Sequence, residues 1–170
     1  MTPESTFADL LINDRPQAIA WITGSEKAPE LNGSVKFFNT PFGGVLVEAQ
    51  IFGLPNQNIP PMNSSNMNTY IPNTGFYGMH IHEYGDCTIP FDRTGEHYNP
   101  TGAMHPHHSG DMVSLLGNNG FAYHVFYDKR FSIDEIMGKS VIIHSNMDDF
   151  MSQPSGNSGS KIGCGVIRRF

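Results

Sequence analysis

Seven of the eight histidines fall between His80 and His124, and the eighth, His144, ends an apolar run. Histidines scattered over a surface would not cluster in this way. In residues 78–83, GMHIHE, His80 and His82 are two apart, so on a strand both rings project from one face and converge on one ion. A neutral imidazole is a good ligand for copper or zinc. An HxH pair alone is a weak signal, and it strengthens further along the chain. Residues 95–100, GEHYNP, place His97 in a turn-rich context after Cys87. Residues 105–111, HPHHSGD, then bring three histidines and a carboxylate within a single short stretch. Three His with one Asp satisfy a closed tetrahedral zinc site of the structural kind. His144, supplied by a distant strand, completes a second group of nitrogen ligands. A mononuclear centre using His80, His82, Glu83 and a distant His is the rival arrangement, and it leaves the histidines from His97 to His108 without a role.

Such ligands need fixed elements beneath them. A chain of 170 residues suits one domain over 1–170 and is long enough to bury a sizeable core. Eighteen glycines and twelve prolines, with many Asn and Ser, disfavour long helices and favour short strands joined by turns. Residues 18–23 and 35–38 read as strands separated by the turn-rich stretch 24–33. In 45–52, Val45, Val47, Ala49 and Ile51 share one face, as in a half-buried antiparallel strand. Residues 76–82, 121–127, 141–144 and 164–167 read as further strands, and 133–137 as a short helical turn. Residues 84–111 are too rich in Gly, Pro and His to be core, so a metal or a disulfide is expected to order them. Residues 148–161 read as loop. Residues 1–16 read as an N-terminal extension and 56–74 as a loop insertion. The thioethers of Met62 and Met67 suit Cu(I), but two methionines in an exposed loop fix no geometry and read as filler. His124, in mid-strand, reads as a packed structural histidine.

The net charge of −6 argues against nucleic acid as a partner, although a local positive cleft can still attract a small anion. Cys87 and Cys164 form either one long-range disulfide or two buried thiols. No basic region followed by an apolar segment opens the chain and no stretch reaches membrane-spanning length, so the expectation is a cytoplasmic protein without membrane association. An extracytoplasmic location follows instead if Met1 is not the native start.

The order GMHIHEYGDC, GEHYNP, HSGD, VIIH and GNSGSKIGCGVI resembles the copper-zinc superoxide dismutase family, over most of the chain from about Ala18. The resemblance implies an all-β fold, an eight-stranded Greek-key barrel of the sandwich class, with long metal-binding and electrostatic loops. It implies copper at His80, His82, His97 and His144, and zinc at His97, His105, His108 and Asp111, with His97 shared and His107 competing with His105. It also implies a Cys87–Cys164 disulfide and a carboxylate, Asp148, that links copper and zinc ligands. The implied activity is oxidoreductase chemistry on superoxide, an antioxidant role, with His97 passing a proton. Where the family has an arginine over the copper, this chain has Lys161, which keeps the charge and loses the two-pronged donor. That substitution and the short 144–164 loop favour the alternative, a non-catalytic copper-binding or metal-buffering protein of the same fold. A homodimer is compatible with the resemblance, and neither the interface nor the copper source is written in the sequence.

Overall fold

In the strand Val45–Phe52 the residues Val45, Val47, Ala49 and Ile51 are buried, as their alternation requires. This strand, β3, belongs to an antiparallel sheet with β1 (Ala18–Gly24), β2 (Asn32–Asn39), β5 (Met79–His82), β7 (Ala122–Asp128), β8 (Ser140–His144) and β9 (Lys161–Arg169). The computed structural model describes residues 6–55 and 75–170. The 56–74 insertion, with Met62 and Met67, lies outside the described residues. The sheet order is β5-β8-β9-β1-β2-β3-β7. Strands distant in sequence therefore lie side by side, β9 beside β1 and β7 beside β3, which is Greek-key wiring. A two-stranded ribbon, β4 (Phe76–Tyr77) with β6 (Leu115–Leu116), links the two free edges. β4 leads into β5 at one edge, and at the other the Leu116 amide of β6 donates to His124 Nε2 on β7 (3.1 Å). The sheet thereby curls into the expected all-β Greek-key barrel, around Phe37, Val47, Ile51, Met79, Ile81, Val141 and Ile143.

The element boundaries differ from expectation where polar residues extend a ladder. β9 runs to both sides of 164–167, because Lys161 still pairs with His144 and Arg169 with Ala18. The run 76–82 breaks at Gly78, whose amide donates to the Asn146 carbonyl (2.7 Å) while its own carbonyl accepts from the His144 amide (2.8 Å). The N-terminal extension contains a helix, α1 (Phe7–Asn13), closed by a Thr6–Asp9 capping box. Leu10 packs with Phe38 and Leu46, which explains why Leu46, on the outward face of β3, is buried. The expected turn after β7 is α2 (Ile133–Ile136), with a Ser132–Glu135 capping box.

Two contacts carry the long 84–111 segment onto this frame. Isolated bridges join His82 to His97 and His80 to Asp111, so the segment lies along β5. The Cys87–Cys164 disulfide (Cα–Cα 5.7 Å), packed against Phe91 and Ile142, ties it to β9.

Candidate metal centre

All four residues of β5 are buried, His80 and His82 included. Strand alternation keeps both rings on one side, and the adjacent β8 ends on the buried His144. Two sets of donors gather there. The ligand atoms of His80, His82, His97 and His144 lie within 4.8 Å of one another, as do those of His97, His105, His108 and Asp111. His97 belongs to both. His105 enters the second set, whereas His107 is exposed and enters neither. Glu83 accepts the Glu96 amide (3.2 Å) and joins no donor set among the described residues, so a mononuclear centre using Glu83 has no geometric basis.

Hydrogen bonds around the rim decide which nitrogen of each ring faces inward. His82 Nδ1 is held against the Gly95 carbonyl (2.9 Å) and His144 Nδ1 against the Gly159 carbonyl (3.4 Å). A carbonyl only accepts, so both Nδ1 atoms carry the proton and both Nε2 atoms present lone pairs. Those two Nε2 atoms face each other at 3.3 Å. His80 and His105 are set the other way round, each donating from Nε2 to one oxygen of Asp148, both at 2.8 Å. Their Nδ1 atoms are buried without a hydrogen-bond partner, as are His97 Nε2 and His108 Nδ1. His105 Nδ1 and His108 Nδ1 lie 3.1 and 3.3 Å from the Asp111 carboxylate, but at angles that make no hydrogen bond. Buried lone pairs aimed at a common point, with no donor between them, are what a cation resolves. The donor sets therefore fit metal ions. The all-imidazole set suits copper, and three imidazoles with one carboxylate suit zinc.

Electrostatics agree with ligands kept neutral. Burial lowers His80 to about 4, against the Asp148 hydrogen bond that would raise it. Burial also holds His82 and His144 well below the usual histidine value. For Asp111 and Asp148, burial is the largest single effect and would raise the carboxyl, but both are lowered by the combined hydrogen bonds and charges around them: the His97 hydrogen bond with the His97, His105 and His108 rings at Asp111, and hydrogen bonds from His80, the Phe150 amide and His105 at Asp148.

Asp148 thus spans the two donor sets. Several supporting groups carried no signal in the sequence. Gln153 clips His105 in both directions, its amide donating to the His105 carbonyl (2.7 Å) and its carbonyl accepting the His105 amide (3.1 Å). Gly156 adopts φ 63°, and a Cβ there would fall 1.9 Å from Asp148 Oδ1, so only glycine fits beside the bridging carboxylate. Lys161, the first residue of β9, donates from Nζ to Thr94 Oγ1 (2.9 Å) and to the Gly95 carbonyl (3.0 Å). Gly95 therefore receives both Lys161 and the ring of His82. A cleft of about 430 Å³ opens beside Lys161 and also takes in Lys27, Glu26 and Asp92, but none of the histidines lines it. His124 stands apart, half-buried, serving the ribbon rather than the donor sets.

Residues 31–167 match the family model for copper/zinc superoxide dismutase. The chain is 37% identical over 109 residues to superoxide dismutase [Cu-Zn] 3 of Arabidopsis thaliana, covering 55% of this chain and 66% of that one. It is 33% identical over 108 residues to the copper chaperone for superoxide dismutase of Mus musculus, covering 56% of this chain and 39% of the chaperone. Among solved structures, a double mutant of a superoxide-dismutase-like protein from Bacillus subtilis aligns with a TM-score of 0.69 at 26% identity, over 86% of this chain and 94% of that one. The clock protein EA4 aligns with a TM-score of 0.72 at 27% identity, over 91% and 96%. The matched length, the barrel and the two donor sets joined at His97 agree, and the chain belongs to the copper/zinc superoxide dismutase family.

Proposed function

We propose that this chain is a superoxide dismutase, with copper held by His80, His82, His97 and His144 and zinc by His97, His105, His108 and Asp111. The observation that carries this reading is the single ring, His97, shared by two buried donor sets in which His80 Nδ1, His97 Nε2, His105 Nδ1 and His108 Nδ1 have no hydrogen-bond partner among the described residues. Copper, when bound, supplies the one-electron couple through which one superoxide is oxidised to dioxygen and a second is reduced and, with two protons, becomes hydrogen peroxide.

The chain's own residues supply position, charge and a proton. Asp148 takes the Nε2–H of His80 and of His105, which turns both Nδ1 atoms inward and ties the orientation of one set to the other. Asp111 Oδ1 lies 2.8 Å from His97 Nδ1, which places that side of the ring with the mixed His/Asp set and leaves His97 Nε2, on the other side, as the atom that would hold a proton for the second product. Lys161 places its ammonium one carbonyl away from His82, where it attracts the anionic substrate. Its own bonds are to a neutral hydroxyl and a carbonyl, and among the described residues no carboxylate in contact cancels its charge.

A second reading is a copper-carrying, non-catalytic protein of the same fold. It is favoured by Lys161 at the position of the expected arginine and by the family's inclusion of a copper chaperone. Loading with both metals, followed by metal analysis and a xanthine oxidase or pulse radiolysis assay, separates the two. Two metals per chain with turnover well above a free-copper blank support the dismutase, and two metals without turnover support the carrier.

A further inference from the structure

Arg130 lies two residues beyond the end of β7, outside both the 84–111 and the 148–161 segments, and carries no donor atom of its own to the centre. Its side chain nevertheless reaches the mixed His/Asp set. One edge of the guanidinium is fixed to Asp128, with Nε 3.1 and 3.2 Å from the two carboxylate oxygens and Nη2 2.6 Å from one of them. The Arg130 amide also donates to Asp128 Oδ1 (2.8 Å). The Asp128 side chain is only 5% exposed, so this carboxylate is a desolvated anchor, while 42% of the arginine side chain remains in solvent. The other edge turns to the metal-binding loop. Nη2 donates to the backbone carbonyl of Asp111, and Nη1 approaches that of His108 at 3.4 Å.

Those two carbonyls bound one tight turn. Within it the Asp111 amide donates to the His108 carbonyl (3.2 Å) and the His108 amide donates to Asp111 Oδ2 (3.0 Å). The turn carries two of the four donors of the set, and its interior hydrogen bonds fix its shape but not its place against the barrel. We infer that Arg130 is a positioning residue for the His97/His105/His108/Asp111 site, clamping the His108–Asp111 turn to the end of β7 through backbone carbonyls. The planar fork is needed because one group must meet a carboxylate on one side and two carbonyls on the other. A lysine offers a single point charge and cannot span them. The clamp also makes the site depend on a residue that no ligand motif includes. This inference rests on the proposed assignment of zinc to that set.

The test measures zinc affinity by chelator competition for the wild type, Arg130→Lys and Arg130→Ala, with copper content and the melting temperature of the metal-free proteins alongside. Loss of a group that orients metal ligands weakens binding about 10–100-fold. Zinc affinity should fall by at least about tenfold in both variants, with copper content held near wild type; the metal-free melting temperature should hold in Arg130→Lys, which keeps a cation beside the buried Asp128, and fall in Arg130→Ala, which leaves that carboxylate unpaired. Wild-type zinc affinity in Arg130→Ala overturns the clamp, and wild-type affinity in Arg130→Lys overturns the need for the fork. A parallel fall in copper content and metal-free stability in Arg130→Lys shows a general structural role and overturns the assignment to the site. A wild type that takes up no zinc overturns both this inference and the reading beneath it.

Discussion

At the scale of single residues, the centre is organised by what each ring nitrogen bonds on its outer side. Asp148 is the clearest case, because its two oxygens take N–H donors from rings of different sets. An asparagine at this place offers one acceptor and one donor group, so one of the two rings would face an N–H instead of an oxygen. Asp148→Asn should therefore loosen both metals, each by about 10–100-fold, measured by competition with a chelator for zinc and for copper separately. A loss confined to one metal would show that the carboxylate serves only one set. Lys161 acts at longer range. Its charge has no carboxylate in contact among the described residues, and burial lowers its pKa, with Glu96 and Asp92 opposing that shift. In Lys161→Gln the association-limited kcat/KM at low salt should drop roughly tenfold, and its dependence on ionic strength should flatten, while metal content stays unchanged. An unchanged salt dependence would remove Lys161 from the approach of the substrate.

At the scale of elements, the strands β1, β3, β7 and β8 were legible because alternation and apolar runs report burial directly. Val45 to Ile51 is the plainest instance. The ladder ends were not legible, since Lys161 and Arg169 pair through their backbones, and a ladder does not depend on side-chain polarity. The helix α1 escaped the reading for a related reason. Its seven residues are too few for a sustained period, and its only signal is a Thr6–Asp9 capping box. The donor residues were legible because metal chemistry restricts residue type. Gln153, Gly156 and Arg130 were not, since a side chain that grips a backbone carbonyl, or a glycine that makes room, leaves no pattern at fixed spacing. The helix α1 has a testable role. It covers an outward face of the sheet where Leu46 and Phe38 would otherwise meet water, and Leu10 is its buried anchor. Leu10→Ala should cost about 2 kcal/mol, the lower end for a buried leucine because it packs in a small cluster with Phe38 and Leu46 rather than in the main core. The denaturation midpoint should fall accordingly with metal content unchanged. A midpoint equal to wild type would mean that the helix is not docked in solution.

For the molecule as a whole, the donor sets impose a stability debt that metal removes. Without metal, the fold holds His80, His82, His108 and His144 below their ordinary value, in each case chiefly through burial, with His80 at about 4. In the unfolded chain these rings take up protons near pH 6.5. Between about pH 6.5 and 4 the unfolded state therefore binds more protons than the folded state, and lowering the pH favours unfolding. Above about pH 7.5 both states are essentially neutral at these rings and no such loss arises. The lowered carboxyls Asp111 and Asp148 act in the same direction, but only from about pH 5 downward, where the unfolded carboxyls begin to protonate. The window from about 6.5 to 5 thus belongs to the histidines, each contributing a loss of up to about 1.4 kcal/mol per pH unit. Thermal unfolding of the metal-free protein should show a melting temperature that is steady from pH 8 to 7 and falls steeply from 6.5 to 5. A metal-free melting temperature that stayed flat down to pH 5 would mean that these rings are not buried as neutral groups in the empty centre.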